Sequence, residues 1–340
     1  MHDDIFFDQN NEISDELPPA LTRSQVEDKI ARGEPLAGEN LAGLYLSGLD
    51  MKEIDCTGAI LACADLSNTD LSGAILTQTN MTKANVSGAN LTGANLVEAD
   101  LSEINLEKAC LRDADLTGAV LNNSVLTDAL LNDAIFEKTQ MMSANLERVE
   151  AVDTNFIEAD LSGSNLAQSN LSGADFSKSR LEETDFRDSN LTDTSIEGAV
   201  CKKGNFTGAN LTKLRASESS DFTQACFSKA SGFESIWHNA ILTDADFSYS
   251  NMEGADFTKA SFERAILYAA DMKFARFRKA NLKKAKLVKM NLFQGSLEKA
   301  DLTDANLSGS NMYGVEFLEA VLERTILDKT NLKMTKLYKG

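Results

Sequence analysis

Two histidines, His2 and His238, are the only imidazoles in 340 residues, so a Ser-His-Asp triad, a Cys-His dyad or a histidine-rich metal site would have to be built around one of them. Neither has partners at a motif spacing. The five cysteines, Cys56, Cys63, Cys110, Cys201 and Cys226, are odd in number, show no CxxC pair and are sparse beside a secreted disulfide scaffold; they read as free thiols. No GxxxxGK[ST], no GxGxxG opening a helix and no acidic loop of calcium-binding spacing occurs. Carboxylates abound, but their spacing sets them on outer columns that face water, where nothing desolvates them for acid–base work. The expectation is a noncatalytic chain without cofactor or metal.

What positions these groups is a period of five. Every fifth residue from Leu36 to Ala216, and again from Phe222 to Leu337, is the centre of a unit such as ADLSN, TDLSG or ANLTG, and nearly all centres are Leu, Phe, Met or Ile. A helix cannot hold that period on one face, because each unit turns it about 500° and the stripe drifts by about 140°. In an extended chain the small residue two before each centre, Ala64 before Leu66 or Ala159 before Leu161, points inward with it. The residue between them, usually Asp or Asn, faces out, and the two after the centre, Ser-Gly at 72–73 or Thr-Gly at 92–93, make a corner. One such unit buries almost nothing, so the chain must coil and stack. Central Phe pairs recur mostly at 20 residues (136/156, 156/176, 186/206, 227/247, 257/277) and less often at 15 (247/262, 262/277), which predicts four units per coil. The result is an all-β solenoid rod of about 15 coils, roughly 73 Å long at about 4.8 Å per coil.

The pattern of small residue, Asp or Asn, Leu or Phe, Ser or Thr, then Gly resembles the pentapeptide-repeat family over about 34–340. That resemblance implies a right-handed, four-sided β-helix. Three stretches depart from the period. Residues 1–20, containing DDIFFDQNNEISDELPP, read as a disordered acidic arm, and 21–33 as a short capping helix with a Ser24–Glu27 capping box, Val26 and Ile30 on one face and a Gly33 stop. One extra residue shifts the centres between 216 and 222, which predicts an irregular coil or loop over 217–239 between repeat segments 34–216 and 240–340. The repeat runs to the last residues, so an open edge is expected there, inviting a homodimer through the C-terminal coil.

Charge and aromatic residues mark three candidate surfaces. Asp113, Asp133, Asp153 and Asp193 form an acidic column at 20-residue intervals, interrupted by Gly173. Lys273, Arg276, Arg278, Lys279, Lys283, Lys284, Lys286 and Lys289 girdle about one coil, in a segment (260–340) with 15 basic and 9 acidic residues. Phe274, Phe293, Tyr313 and Met334 follow centres 272, 292, 312 and 332, and Phe233 belongs to the same side; together they predict an exposed aromatic stripe for a partner.

A net charge of -19 argues against a direct grip on nucleic acid. No run of about 18 apolar residues predicts a membrane span, and the first residues lack a signal-peptide pattern, so a cytoplasmic protein is expected. The leading expectation is a protein-protein interaction scaffold or adaptor. Its lead-in, PALTRSQVEDKIARGEPLAGENLAGLYLSGLDM, resembles pentapeptide-repeat proteins of bacterial type VI secretion systems, which implies an accessory or effector-associated role with secretion-system partners. The alternative is a DNA mimic, similar to pentapeptide-repeat proteins that act on DNA gyrase: residues 34–259 carry about one net negative charge per 2.7 Å of rod, against about 1.7 Å for duplex DNA.

Overall fold

The computed structural model describes residues 20–337. Parallel bridges join residues 20 apart, or 21 across one coil, in a continuous series from Asn40↔Ile60 to Asn311↔Asn331, so four units close one coil and every coil lies directly on the last. Between the two end coils the centres and the small residues two before them are buried: Leu61, Leu66 and Leu91 are 0% exposed, and Ala64 and Ala89 only 1%. We number the four sides in chain order, I to IV, from centres Leu41, Leu46, Met51 and Cys56.

Most corners close by a bond from the N–H three residues on to the carbonyl of the centre, as from Ala64 to Leu61 at 3.0 Å. The residue two after the centre takes positive φ at every corner from Gly38 to Met334, the hallmark of a type II turn. The outward Asp or Asn secures the same corner: Asp70 Oδ1 accepts from the Ser72 N–H at 3.1 Å and the Ser72 hydroxyl at 2.7 Å. Hence the recurring D/N-x-S/T.

The aromatic core runs in two opposed stacks. Phe136, Phe156 and Phe176 stack on side IV with centroids 5.1 and 4.7 Å apart. Phe186, Phe206, Phe227 and Phe247 stack on side II at 4.8, 4.8 and 4.5 Å.

Helix α1 (Arg23–Ala31) lies over the first coil. Its N-cap is Thr22 rather than Ser24: Gln25 N–H donates to Thr22 Oγ1 and Thr22 N–H to Gln25 Oε1, which closes a capping box. Both Thr22-x-x-Gln25 and Ser24-x-x-Glu27 fit the pattern. The first wins because it puts half-buried Leu21 just before the cap and fully buried Val26 in the second turn, so that the two staple the entry to the core. Arg23 Nη1 donates to the Tyr45 carbonyl at 2.7 Å, and Lys29 pairs with Glu39 at 2.8 Å. The acidic arm expected over 1–20 lies outside the described residues except Ala20.

The irregular coil expected over 217–239 is confined to a single corner. Bridges lengthen to 21 residues from Val200↔Asp221 to Arg215↔Ile236 and return to 20 at Asp221↔Ile241. Glu218 and Ser219 both take positive φ (57° and 63°), and the extra residue bulges there. The Ser220 hydroxyl fills the gap beneath, accepting from Gly198 N–H at 2.9 Å and donating to the Ile196 carbonyl at 2.8 Å. The core is then continuous. Trp237 is fully buried on side IV above Ala216, and its Nε1 donates to Ser235 Oγ at 2.8 Å. Gly232 leaves the room that this coil needs, since a β-carbon there would lie 2.4 Å from Met252 Sδ.

Candidate contact surface along one edge

The two residues after each centre form the edges of the rod, and a bond from the second of them to the carbonyl of the first on the next coil stacks them. On the edge after side III these bonds run Asp113 to Asn132 (3.2 Å), Asp133 to Val152 (3.0 Å), Asp153 to Ser172 (3.0 Å), Gly173 to Thr192 (2.9 Å), Asp193 to Thr212 (2.9 Å) and Lys213 to Phe233 (2.8 Å). They continue from Glu234 to Glu253 (3.1 Å), Gly254 to Lys273 (2.8 Å), Phe274 to Phe293 (3.0 Å), Gln294 to Tyr313 (2.9 Å) and Gly314 to Lys333 (2.9 Å). The acidic column and the aromatic stripe therefore share one edge, a relation hidden in the sequence by the extra residue between them.

The acids stand on exposed corners and make no ion pair among the described residues. The column is interrupted at Gly173, and Asp153 folds into the space the glycine leaves; a β-carbon there would lie 2.0 Å from Asp153 Oδ1. Farther along, Phe274 meets Phe293 edge-on (5.9 Å, 83°), and Phe293 stacks on Tyr313 (5.4 Å, 13°). Phe274 is 44% exposed, whereas Phe293 and Tyr313 cover each other's faces and are half-buried. Phe233 and Met334 are exposed on the same edge, but neither makes a ring contact with this ladder among the described residues. The stripe is a three-ring ladder with outliers.

The basic girdle occupies one turn around all four sides, and half of it is neutralised. Lys273 pairs with Asp271 (2.8 Å), Arg276 with Asp256 (3.6 Å), Arg278 with Glu298 (3.2 Å) and Lys283 with Asp301 (3.2 Å). Lys289 lies over the Tyr268 ring at 5.5 Å and donates to its hydroxyl at 3.1 Å. Lys279, Lys284 and Lys286 are exposed without an ion pair among the described residues. Sequence reasoning missed the Tyr249–Tyr268 contact (5.4 Å, 78°) under Lys289 on the edge after side II. It also missed the rule that a basic corner residue pairs with the acid 20 before it, as in Arg148–Asp128 (2.8 Å), Lys203–Glu183 (2.8 Å) and Arg264–Asp244 (2.7 Å). The 20-residue offset was the available signal.

His238 Nε2 lies 3.3 Å from Asp256 Oδ2 on the girdle's flank. Burial pushes the Asp256 carboxyl up, but bonds from Thr258 and His238 outweigh it and hold the group below the usual carboxylate range. Buried Cys56 has its thiol pushed up to about 12 by desolvation, the reverse of an activated nucleophile. All five cysteines are free. Among the described residues no group of His, Cys, Asp and Glu is arranged to hold a metal, and no helix is long and apolar enough to cross a membrane. A cleft of about 250 Å³ between α1 and the first coil is open and lined by Ile30, Glu34, Met51, Lys52 and Ile54 among others. No Ser, Thr, Cys or His lines it.

No curated protein matches the chain. Solved structures that resemble it include HetL, a pentapeptide repeat protein involved in heterocyst differentiation regulation from the cyanobacterium Nostoc, with 22% identity over 92% of this chain and 98% of that one, TM-score 0.23. Rfr23 from the cyanobacterium Cyanothece is 28% identical over 26% of this chain and 62% of its own, TM-score 0.26. QnrB1, a plasmid-mediated fluoroquinolone resistance protein, is 20% identical over 55% of this chain and 83% of that one, TM-score 0.29. The family model for pentapeptide repeats matches residues 40–78, 76–107, 109–148, 154–193, 240–278 and 300–337. Two internal stretches it leaves unmatched, 194–239 and 279–299, hold the extra corner residue and most of the girdle. The chain belongs to the pentapeptide-repeat proteins, which fold as right-handed four-sided β-helices.

Proposed function

We propose that the protein is a noncatalytic interaction scaffold that binds a protein partner along the edge after side III. The observation that carries this reading is the Phe274–Phe293–Tyr313 ladder, rings held on a rigid outer edge where they add nothing to the core. Aromatic anchors of this kind dominate interface energies. The lead-in's resemblance to type VI secretion-associated relatives points to a cytoplasmic accessory or adaptor whose partners are secretion components. Full-length protein and the Phe274→Ser/Phe293→Ser/Tyr313→Ser variant, matched by circular dichroism, are used as baits in the native lysate. Secretion components should be recovered by the first and lost by the second. Identical recoveries from both would remove the ladder from the reading.

A second reading, a DNA mimic acting on gyrase, draws on the four aspartates of the same edge, which carry no ion pair among the described residues. The basic coil downstream opposes it, because duplex DNA offers no positive band. Micromolar protein should neither inhibit nor protect gyrase supercoiling; inhibition that fades steeply with added salt would reverse the order of the two readings.

A further inference from the structure

The ladder's own surroundings specify what sits on it. Lys273 and Lys333 flank it on the same edge, Lys289 stands at the neighbouring corner, and residues 260–340 carry a net positive charge. A matching occupant is short, apolar at its centre and acidic on both sides. The chain contains such a segment: Asp3-Asp4-Ile5-Phe6-Phe7-Asp8, in a stretch (1–20) with six acids and no Lys or Arg. We propose that this segment docks on the Phe274–Phe293–Tyr313 ladder of a second copy of the chain, so that two antiparallel rods exchange arms.

Length decides between the chain's own ladder and its neighbour's. Leu21 N–H is bonded to the Asn40 carbonyl, which fixes the root of the arm at the first coil. Twelve stacked bridges lead from Asn40 to Asn281, just past Phe274, which is about 58 Å at about 4.8 Å per coil. The thirteen steps from Phe7 to Ala20 span at most about 47 Å when fully extended. Even completely extended, the arm falls short of the nearest ring of its own rod, and Phe293 and Tyr313 lie farther still. In an antiparallel neighbour the root of one arm lies beside the ladder of the other, and the exchange is reciprocal, closing a twofold dimer. Ring contacts would supply most of the affinity, and the acid–lysine pairing would make it salt-sensitive.

The inference rests on reading the ladder as a contact surface, and implies that a partner must displace the arm. It is tested on purified protein, without a partner. Light scattering of the full chain at low salt should give twice the chain mass at tens of micromolar. Phe6→Ser/Phe7→Ser should give a monomer, as should Phe293→Ser, both with unchanged circular dichroism. Mixing the two variants should restore a dimer through the one intact arm and the one intact ladder. A monomeric full chain over the whole concentration range, or a dimer indifferent to either variant, overturns the proposal. Because no lysate partner enters, failure here leaves the scaffold reading standing, and failure to recover a partner leaves the mass measurement standing.

Discussion

Asp133 shows what a corner asks of a side chain. With φ of 60° it occupies the left-handed region, where a β-carbon costs roughly 1–2 kcal/mol, less for Asp and Asn, and nothing for Gly. Its carboxylate is solvated and faces like charges along the edge, so removing the charge by itself changes little. Asp133→Ala should therefore lose about 1 kcal/mol while Asp133→Gly keeps or slightly raises stability, both read by urea unfolding. Equal losses in the two variants would mean that the carboxylate itself, and not the backbone, supports the fold. Ser-Gly and Thr-Gly pairs made some corners legible in advance. Corners carrying Lys203, Arg264 or Phe274 gave no such sign, because stacking on the next coil, not local preference, holds them at positive φ.

At the scale of the coil, the period of five and the 20-residue phenylalanine spacing were enough to derive four sides, since only stacked positions share a cross-section. What composition could not show was how a coil absorbs one extra residue. Several irregular features, Gly232, Trp237 and the shifted register, lie close together in sequence and suggest a loop. In space they are separate solutions: the bulge sits at one corner, Trp237 fills the space over Ala216, and Gly232 yields to Met252. If the bulge is only an insertion, deleting Ser219 leaves Ala216-Ser217-Glu218-Ser220-Asp221, a regular unit. The deletion should preserve the circular dichroism spectrum and hold or raise the melting temperature, since one strained corner residue is removed. A drop of more than a few degrees would show that the bulge itself supports Trp237 and its neighbours. The same extra residue explains why the shared edge was not read from sequence: Asp193 and Phe274 differ by 81, not a multiple of 20.

As a whole molecule the rod is close to one-dimensional, each coil touching only the coils above and below it, so damage should spread along the axis by nearest neighbours. Phe156 and Trp237 provide a test, because both stand on side IV with four bridges between them, Asn155↔Asp175, Asp175↔Ser195, Ser195↔Arg215 and Arg215↔Ile236. Phe156→Asp puts an unpaired charge between Phe136 and Phe176, at a cost of at least about 3 kcal/mol that no local partner offsets. The coils around it should melt early. The continuous phenylalanine stack and the two-sided packing of Trp237 against Phe222, Phe227 and Phe257 give the far coils a core of their own. Tryptophan fluorescence, which reports only Trp237, should then melt within a few degrees of the unsubstituted protein, while far-UV circular dichroism shows a separate earlier transition. If both signals instead fall together by the same amount, the rod unfolds as one cooperative unit. The exposed edge would then be coupled along its entire length, and binding at the aspartates would be felt at the aromatic ladder.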